Sequence, residues 1–303
     1  MRRQTRLPEY HSEFFVIAVP YVPFALSPPP KSMASHSLLR AFKANQPAFG
    51  IWMSSPGFFH ARTVAQASPH LAWIVIDCEH GLPSLNPGLP ESIAAIHGAS
   101  PANAPSAIVR IPATGVSSST SWQIKQALDA GARGVLVPMV STVEKAAEIA
   151  ADCRFPPLGR RGFGSSYTHG NWGVSIPEYL KGANDAVLVM VQIETREALD
   201  HFEAIAEVDG IDVLFVGPFD LSVSLGYPGP SPASPDPHPE VEEIIQKILK
   251  AAHTAGKKCG IYCVSGAQAA RRAAEGFDMI NVTSDFRALS TAIHEHLSVA
   301  VSA

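Results

Sequence analysis

The chain has 303 residues, enough for one large barrel or for two smaller domains. Hydrophobic residues make up 46% of it and charged residues 17%, a composition that excludes a disordered chain and favours a large core. The 23 Lys and Arg residues against 27 Asp and Glu give a net charge of −4, which argues against a nucleic-acid partner because such binding needs a basic surface. The low charged fraction also favours a surface that is buried between copies of the chain.

Proline is concentrated in two segments, with six of the 26 prolines in residues 1–30 and six in residues 228–239. We expect both segments to lie outside the folded core. The longest apolar run, residues 14–26, contains two prolines and is shorter than the roughly 20 residues that span a membrane, so no membrane partner is expected. We interpret residues 1–37 as a disordered or targeting extension and residues 38–303 as one domain. The predicted location is cytoplasmic, or mitochondrial if the extension is a transit peptide.

From about residue 46, short β-rich runs alternate with segments of helical periodicity, the pattern of a parallel sheet built from βα units. Eight units fit a (β/α)8 TIM barrel of about 250 residues. An open doubly wound sheet is disfavoured because no Gly-x-Gly-x-x-Gly turn follows the first strand. In chain order, the predicted strands are residues 48–53, 72–77, 106–111, 133–139, 186–194, 213–217, 258–264 and 278–283.

Three features between the strands carry further expectations. Residues 154–184 form an insertion longer than the usual αβ connection, and loops of that length are often functional. The four cysteines lack Cys-x-x-Cys spacing, so Cys259 and Cys263 are interpreted as inert core thiols. The third helix is predicted to end at Gly131 and to present Trp122, Ile124, Ala127 and Leu128 on one face.

Active-site groups of a barrel enzyme lie at the C-terminal ends of the strands and in the loops that follow. The second and third strands end in acidic, histidine and arginine residues, and the fifth and sixth end in an amide and two acids. One rim is therefore predicted to hold Asp77, Glu79, His80, Arg110, Gln192, Glu194 and Asp220.

Glu194 and Asp220 follow neighbouring strands, so both carboxylates are expected to reach one point above the barrel. Two hard oxygen ligands without a nearby Cys or His suit Mg²⁺ or Mn²⁺ better than Zn²⁺. The alternative is that each acid caps the helix that follows it. The occurrence of both acids at adjacent strand ends, with Gln192 beside them, favours a divalent metal.

His80 is a candidate general base because it follows Asp77 and Glu79 on the same rim, and its alternative is a hydrogen-bonded structural histidine. Arg110 offers a guanidinium group to a carboxylate or a developing oxyanion, and its alternative is a structural salt bridge. No lysine is predicted at an inward-facing strand end, which disfavours a Schiff base. Metal-assisted enolisation beside a carbonyl is the chemistry that remains.

Eight motifs in chain order resemble the HpcH/HpaI family of class II pyruvate aldolases, over about residues 38–300. They include WIVIDCEHG, IVRIP, VLVMVQIETREAL and VDGIDVLFVGPFDLSVSLGYPG. The resemblance implies a barrel of the phosphoenolpyruvate/pyruvate-binding type and a carbon–carbon lyase that cleaves a 4-hydroxy-2-oxo acid, such as a 2-keto-3-deoxy sugar acid, to pyruvate and an aldehyde. The alternatives are an oxaloacetate decarboxylase, a macrophomate-synthase-like enzyme and a non-catalytic barrel that binds a keto acid.

The resemblance also implies roles for single residues. It makes Glu194 and Asp220 the ligands of a divalent metal, which is Mg²⁺ or Mn²⁺, with Co²⁺ as a further candidate. It implies a homo-oligomer, usually a hexamer, in which Asp129 raises the basicity of His80 across a subunit interface. The remaining implied roles are a transition-state arginine, Arg110, and contacts to the keto acid from Gln192, Phe219 and Asp220.

Two positions depart from the family pattern. Phe219 stands where bacterial members have Ala or Ser, which puts a bulky ring near the keto-acid pocket. The segment of residues 111–123, after the third strand, is several residues longer than in bacterial aldolases. Trp52, which follows the family pattern after the first strand, is expected to serve packing.

Overall fold

The computed structural model describes residues 36–100, 103–112, 119–231 and 234–302. Within these ranges, eight strands close into a barrel in which every neighbouring pair is parallel and β8 pairs with β1. The predicted (β/α)8 fold is therefore confirmed. The strands are β1 (Ala48–Met53), β2 (Trp73–Asp77), β3 (Ser106–Arg110), β4 (Gly134–Val137), β5 (Leu188–Ile193), β6 (Val213–Val216), β7 (Lys258–Tyr262) and β8 (Met279–Ser284).

Helices alternate with these strands in the described part of the chain, and a 3₁₀ helix, Glu197–Asp200, precedes α8. The helices are α1 (Ser37–Lys43), α2 (Phe58–Gln66), α3 (Gly88–Ala99), α4 (Ser121–Asp129), α5 (Val143–Cys153), α6 (Thr168–Trp172), α7 (Ile176–Ala186), α8 (Phe202–Ala206), α9 (Pro218–Ser224), α10 (Pro239–Thr254), α11 (Gly266–Glu275) and α12 (Asp285–Ser302).

Strands β2 to β6 are buried along their whole length. Both faces of a parallel barrel strand are covered, one by the barrel interior and the other by helices, so the runs are almost continuously apolar. Each strand lies within the predicted bounds or extends one residue past them, and most are shorter. Strand β4 stops at Val137 because Pro138, with no N–H group, cannot continue the ladder.

Helix α4 ends as predicted, because Gly131 has a φ of 98° and supplies the left-handed residue that closes a helix. The predicted buried face was wrong at one position. Trp122 is exposed, and Gln123 is buried together with Ile124 and Leu128. At 3.6 residues per turn, Trp122 lies about 200° from Ile124 around the helix axis, so the two side chains cannot share a face.

The insertion of residues 154–184 contains α6 and most of α7 and connects α5 to β5. An αβ connection lies at the N-terminal end of the strands, so the insertion lies at the opposite end of the barrel from the predicted rim. Its first residue is bonded there: Arg154 Nη2 lies 2.9 Å from Asp212 Oδ2, and Arg154 Nη1 donates to the Val187 carbonyl. Helix α1 lies at this end too, because His36 before it bonds Ser106 and the Ala186 carbonyl.

All four cysteines are free and buried, as expected for core thiols. Burial raises the pKa of Cys78, Cys153 and Cys263 to about 12 and the pKa of Cys259 well above its ordinary value. A thiol reacts as its thiolate, so none of them is a nucleophile in the folded protein.

Some expectations fall on parts of the chain outside the described residues. These are residues 1–35 of the predicted extension, residues 113–118 of the longer segment and residues 232–233 of the proline-rich segment. The described remainder of that proline-rich segment is mostly exposed or half-buried, in agreement with its predicted place outside the core. Among the helices described, none has the length and apolar character required to cross a membrane.

Candidate active site

A cavity of about 580 Å³ opens at the C-terminal rim of the barrel. Six of the nine site residues proposed from the sequence line it, because the strands that carry or precede them are parallel and end on the same rim. These six are Asp77, His80, Arg110, Gln192, Phe219 and Asp220.

Arg110 is held by one acid that ends β2 and by another that follows it. The register of β2 and β3 places Asp77 beside Arg110, whose Nε and Nη2 donate to the two carboxylate oxygens at 2.9 and 2.6 Å. Arg110 Nη1 lies 3.2 Å from Glu79 Oε2. Arg110 therefore makes the salt bridge that its alternative interpretation predicted. The guanidinium also lies in the cavity wall, so the same bonds fix its direction toward a ligand.

The charges of this group stabilise one another. Burial alone would raise the pKa of Asp77, but the hydrogen bonds and charge of Arg110 outweigh it and hold this pKa below its ordinary value. Burial raises the pKa of Glu79, and the charge of Arg110 only partly offsets that effect. Arg110 is therefore a fixed cation whose Asp77 partner is ionised at neutral pH.

His80 lies on a turn that Asp77 organises. The Asp77 Oδ1 atom accepts the backbone N–H groups of Glu79 at 3.1 Å and His80 at 3.3 Å. Gly81 closes the turn, and any side chain there would collide with the Asp77 carbonyl oxygen. The His80 ring is largely exposed, with Nε2 3.7 Å from Glu79 Oε2. A ring placed in this way can reach a substrate hydroxyl in the cavity.

Trp52 does more than pack. Its indole Nε1 donates to Asp77 Oδ2 at 3.2 Å, and its ring lies 4.9 Å from the central guanidinium carbon of Arg110. It also meets Tyr262 edge to face, at 5.3 Å between ring centres. Trp52 therefore fixes both members of the Asp77–Arg110 pair and forms part of the cavity wall.

Glu194 is buried directly behind the cavity wall. Its Oε1 accepts the Met139 N–H at 2.9 Å, and its Oε2 accepts the Gln192 side-chain amide. Gly217 lies against the same oxygen, where a Cβ atom would collide with Glu194 Oε2 and the Gln192 amide nitrogen. The missing side chain at Gly217 leaves Glu194 Oε2 room for a further contact.

The carboxyl group of Glu194 has an environment that disfavours its charge. Burial raises its pKa to about 7, the Met139 N–H lowers it in part, and the negative charge of Asp220 raises it further. Asp220 is therefore close enough to Glu194 for the two charges to interact. A cation between them would reverse both unfavourable effects.

The oxygen atoms around Glu194 suit a divalent cation. Besides the two carboxylates, the buried Gln192 Oε1 has no hydrogen-bond partner. Within the described ranges, no group of three or more His, Cys, Asp or Glu side chains lies close enough together to hold a metal ion. A cation beside Glu194 would therefore have two carboxylates as its charged donors. Oxygen donors supplemented by water or substrate oxygens are what Mg²⁺ and Mn²⁺ prefer. Glu194, Asp220 and Gln192 therefore fit such an ion.

Neither acid makes a hydrogen bond that caps a helix. The 3₁₀ helix after Glu194 has no side-chain cap, and the Glu194 carboxylate accepts from Met139 and Gln192 instead. Helix α9 begins at Pro218 with Gly217 as its N-cap, and no side-chain hydrogen bond caps it. Asp220 is its third residue, exposed in the first turn, where a negative charge also stabilises the start of a helix.

Asp129 lies at the other end of the barrel. It is the last residue of α4, and its carboxylate binds Lys125 Nζ at 2.7 Å and Arg161 Nη2 at 3.1 Å. Helices of this fold run opposite to the strands, so the C-terminus of α4 points away from the rim. The structure therefore does not bring Asp129 to His80 within one chain.

The sequence did not single out several residues of the cavity wall. These residues follow β1 and β2 or come from β7, β8 and the start of α12, and their strand-end positions were a usable signal. They were missed because the prediction from strand ends took only acidic, histidine, arginine and amide side chains. They are Ser54, Ser55, Leu82, Tyr262, Ser284 and Phe286.

Comparison with known proteins shows which family the chain belongs to. The family model described as HpcH/HpaI aldolase/citrate lyase matches residues 50–292, from β1 into α12. The chain belongs to the HpcH/HpaI family. The predicted family and the enzyme class, a carbon–carbon lyase of the aldolase type, are confirmed.

Individual proteins resemble the chain over most of its length. A 2-keto-3-deoxy-L-rhamnonate aldolase of Klebsiella pneumoniae subsp. pneumoniae is 35% identical over 272 residues, which is 88% of this chain and 94% of that protein. A family protein from Burkholderia cenocepacia J2315 has 32% identity and a TM-score of 0.76, covering 87% of this chain and 98% of its own. Macrophomate synthase has 26% identity and a TM-score of 0.76, with 88% of each chain covered.

Proposed function

We propose that the protein cleaves a 4-hydroxy-2-oxo acid of the 2-keto-3-deoxy sugar acid class to pyruvate and an aldehyde. The observation that carries this proposal is the meeting of Arg110, His80 and the Glu194–Asp220 pair around one cavity. The similarity to proteins named 2-keto-3-deoxy-L-rhamnonate aldolase supports the substrate class.

The floor of the cavity would bind the keto-acid end of the substrate. Glu194, Asp220 and Gln192 would hold a divalent cation, Mg²⁺, Mn²⁺ or Co²⁺. When bound, such an ion supplies Lewis-acid stabilisation of negative charge on a carbonyl oxygen. The backbone at Phe219 would contact the keto acid, and Arg110, fixed by Asp77, would stabilise the enolate oxygen with an N–H donor.

His80 would act as the general base. It takes the proton from the 4-hydroxyl group, the C3–C4 bond breaks, and its electron pair enters the C2–C3 bond to form the enolate. The C4 fragment leaves as the aldehyde, and protonation of C3 gives pyruvate. The proton that His80 takes is balanced by the one added at C3, so no net proton is released. The exposed His80 ring suits this role, since its proton can also exchange with water.

Assembly would complete the site. We propose a homo-oligomer, a hexamer by its resemblance, in which Asp129 of one subunit raises the basicity of His80 in another. The distance of Asp129 from its own rim supports a role across an interface, and its contacts with Lys125 and Arg161 show how its carboxylate is held.

A second candidate forms the same enolate by losing carbon dioxide from oxaloacetate. The similarity to macrophomate synthase, at a TM-score of 0.76, favours testing it. The two candidates differ in what leaves C3, an aldehyde or carbon dioxide, and therefore in which substrate is consumed.

The test is pyruvate release from a panel of 2-keto-3-deoxy acids and from oxaloacetate, with Mg²⁺, with EDTA and with Glu194→Gln. We expect turnover of one or more of the 2-keto-3-deoxy acids with Mg²⁺, and a loss of about 10²–10³-fold with EDTA or with Glu194→Gln. The matched control is Glu203→Gln, because Glu203 is an exposed acid of α8 and should leave turnover unchanged. Full activity in EDTA would contradict the metal, and turnover of oxaloacetate alone would support the second candidate.

A further inference from the structure

The proposed cleavage includes a second proton transfer, from an acid to C3 of the enolate. His80 takes the proton of the 4-hydroxyl group, so C3 needs a donor elsewhere in the cavity wall. Five titratable side chains of the described residues line the cavity: Asp77, His80, Arg110, Asp220 and Tyr262. Of these five, only Tyr262 has no role in an ion pair or in the proposed chemistry.

Tyr262 is the last residue of β7, so its ring lies at the C-terminal rim. Gly260, two residues earlier, faces the same side of the strand, and a Cβ atom there would collide with the Phe215 ring. The missing side chain thus leaves room for Phe215 in the barrel interior beside β7. The Tyr262 ring meets Trp52 edge to face at 5.3 Å between ring centres, and this contact fixes its direction in the cavity wall.

Tyr262 and Arg110 both lie against the indole ring of Trp52. The central guanidinium carbon of Arg110 lies 4.9 Å from the centre of that ring, and the charge of Arg110 acts on the Tyr262 hydroxyl. Strand β7 also pairs with β6, which leads into Asp220. Tyr262 therefore faces the part of the cavity where Arg110 would hold the C2 oxygen, and C3 is one bond away from C2.

The Tyr262 hydroxyl carries a proton at neutral pH, and its neighbours favour the charge that forms when the proton leaves. Burial raises the pKa of this hydroxyl, the Ser284 side chain and the charges of Arg287 and Arg110 lower it in part, and the charge of Asp77 has a weaker raising effect. Ser284 is buried, and its Oγ makes no hydrogen bond to any described residue. The Ser284 hydroxyl is therefore free to donate to a negative oxygen on Tyr262.

We infer that Tyr262 is the catalytic acid that protonates C3 of the enolate. The C2–C3 electron pair takes the proton from the Tyr262 hydroxyl, so that a C3–H bond forms, the O–H bond breaks and the C2 carbonyl is restored. Arg110 and the Ser284 hydroxyl stabilise the phenolate, which makes Ser284 a positioning residue. Water then returns a proton to the phenolate and accepts the proton held by His80, so the protons balance. This inference rests on the proposed function, because it takes an enolate as the intermediate.

Exchange of the pyruvate methyl protons with D₂O, followed by NMR in the presence of Mg²⁺, tests the transfer at C3. Pyruvate has no 4-hydroxyl group, so the exchange should not need His80. Tyr262→Phe should slow the exchange about 10²-fold, a usual contribution of one acid–base group. His80→Asn should leave the exchange within about threefold of the wild type and should reduce pyruvate release from 2-keto-3-deoxy acids about 10²-fold.

Three further measurements separate proton transfer from a structural role of Tyr262. Ser284→Ala keeps the Tyr262 hydroxyl but removes its neighbour, so the exchange should slow about tenfold. The Kd of Tyr262→Phe for pyruvate, from calorimetry with Mg²⁺, should stay within about twofold of the wild type, because the ring that contacts Trp52 remains. The matched control is Tyr167→Phe, which removes an exposed hydroxyl at the other end of the barrel and should exchange at the wild-type rate.

The outcomes distinguish failure of this inference from failure of the proposed function. Exchange in Tyr262→Phe at the wild-type rate, or exchange that is lost in His80→Asn, overturns the inference. A weaker pyruvate Kd that accounts for the slower exchange of Tyr262→Phe overturns it as well. Wild-type protein that releases pyruvate from 2-keto-3-deoxy acids without any exchange overturns the inference alone. Absence of both release and exchange overturns the proposed function and the inference with it.

Discussion

Two buried arginines lie at opposite ends of the barrel and make similar bonds. Arg110 at the C-terminal rim binds Asp77, and Arg154 at the N-terminal end binds Asp212, with exposed fractions of 8% and 7%. Arg154 also donates to the carbonyls of Val187 and Gly210, so backbone groups surround it. Arg110 instead adds a second acid and borders a cavity of about 580 Å³.

The comparison shows which observation separates a structural ion pair from a functional one. Both arginines are buried and paired with an aspartate, and a buried pair by itself is weak evidence for either role. The difference is the open space beside Arg110, where a donor can meet a ligand without leaving its partner. The cavity, rather than the ion pair, therefore identifies the C-terminal rim as the end of the barrel that carries the candidate active site.

The largest expected effect separates the two arginines directly. Arg110→Lys keeps a positive charge beside Asp77 but loses the paired N–H donors, so kcat/KM for pyruvate release should fall about 10²-fold. Arg154→Lys makes the same change at the other end and should leave kcat/KM within about threefold. Steady-state kinetics give kcat/KM for both variants, and urea unfolding gives their free energies of unfolding.

Both lysine variants should lose about 2 kcal/mol of unfolding free energy, because each loses charge-assisted hydrogen bonds in a buried pair. Equal losses of activity in the two variants would show that stability alone limits turnover. That result would remove the distinction between the ends of the barrel.

The next effect concerns the rim in the absence of metal. The pKa of Glu194 is raised to about 7 in the folded protein. Between the ordinary glutamate pKa and pH 7, the folded protein therefore keeps a proton on Glu194, whereas the unfolded chain has released it. The stability from this group is fully present below that ordinary value and is lost as the pH rises through 7. In EDTA, wild-type protein at pH 8 should be less stable than Glu194→Gln by about 3 kcal/mol.

The difference in unfolding free energy between the wild type and Glu194→Gln should narrow steadily as the pH falls toward 4.5, where Glu194 is protonated in the folded protein. Added Mg²⁺ should reverse its sign, because the ion stabilises the ionised carboxylate and binds only the folded state. Urea titrations at each pH give the unfolding free energies, with Glu203→Gln as the control. A difference that is independent of pH would contradict the protonation of Glu194.

The smallest expected effect concerns His36 at the N-terminal end of the barrel. Its contribution to stability is lost as the pH falls, whereas that of Glu194 is lost as the pH rises. Burial, and next the charge of Arg133, lower the pKa of His36 to about 3, and its ring bonds Ser106 and the Ala186 carbonyl in the neutral form. Stability from His36 is therefore present above the ordinary histidine value and is lost as the pH falls below it. The loss should be about 1.4 kcal/mol for each pH unit below 6.5.

His36→Gln tests this, because a glutamine can keep one of the ring's hydrogen bonds and does not titrate. The variant should be less stable at pH 7 but should show a shallower loss between pH 6.5 and 4.5. His201→Gln, which replaces an exposed histidine, should keep the wild-type slope. An unchanged slope in His36→Gln would assign the acid sensitivity to other groups, of which His97 is one, since burial lowers its pKa as well.

Much of the rim could be predicted because strand ends are a local property of sequence. Asp77, Arg110 and Gln192 each end or nearly end an apolar run, and closure of the barrel brings such positions together whatever the helices do. The pairing of Asp77 with Arg110 could not be predicted in the same way. It depends on the register of β2 and β3, which is set by packing of the whole barrel.

Other features depended on three-dimensional packing that the sequence pattern does not contain. Glu194 directly follows β5, close to its predicted place, yet it lies behind Gln192 and Gly217 rather than in the wall. Trp122 was assigned to the core because it is apolar, whereas α4 buries the polar Gln123 in its place. The hydrogen bond of Trp52 to Asp77 was also missed, since a tryptophan after a strand gives no sign of which acid it will meet.

The four cysteines have a practical consequence for these measurements. All are buried in the folded chain. Burial raises the pKa of Cys78, Cys153 and Cys263 to about 12 and the pKa of Cys259 well above its ordinary value, so a thiol reagent at neutral pH finds no thiolate to attack. Global unfolding would expose four ordinary thiols at once. The rate of thiol labelling therefore reports the rate at which the barrel unfolds, and the natural cysteines serve as the probe without any engineered label.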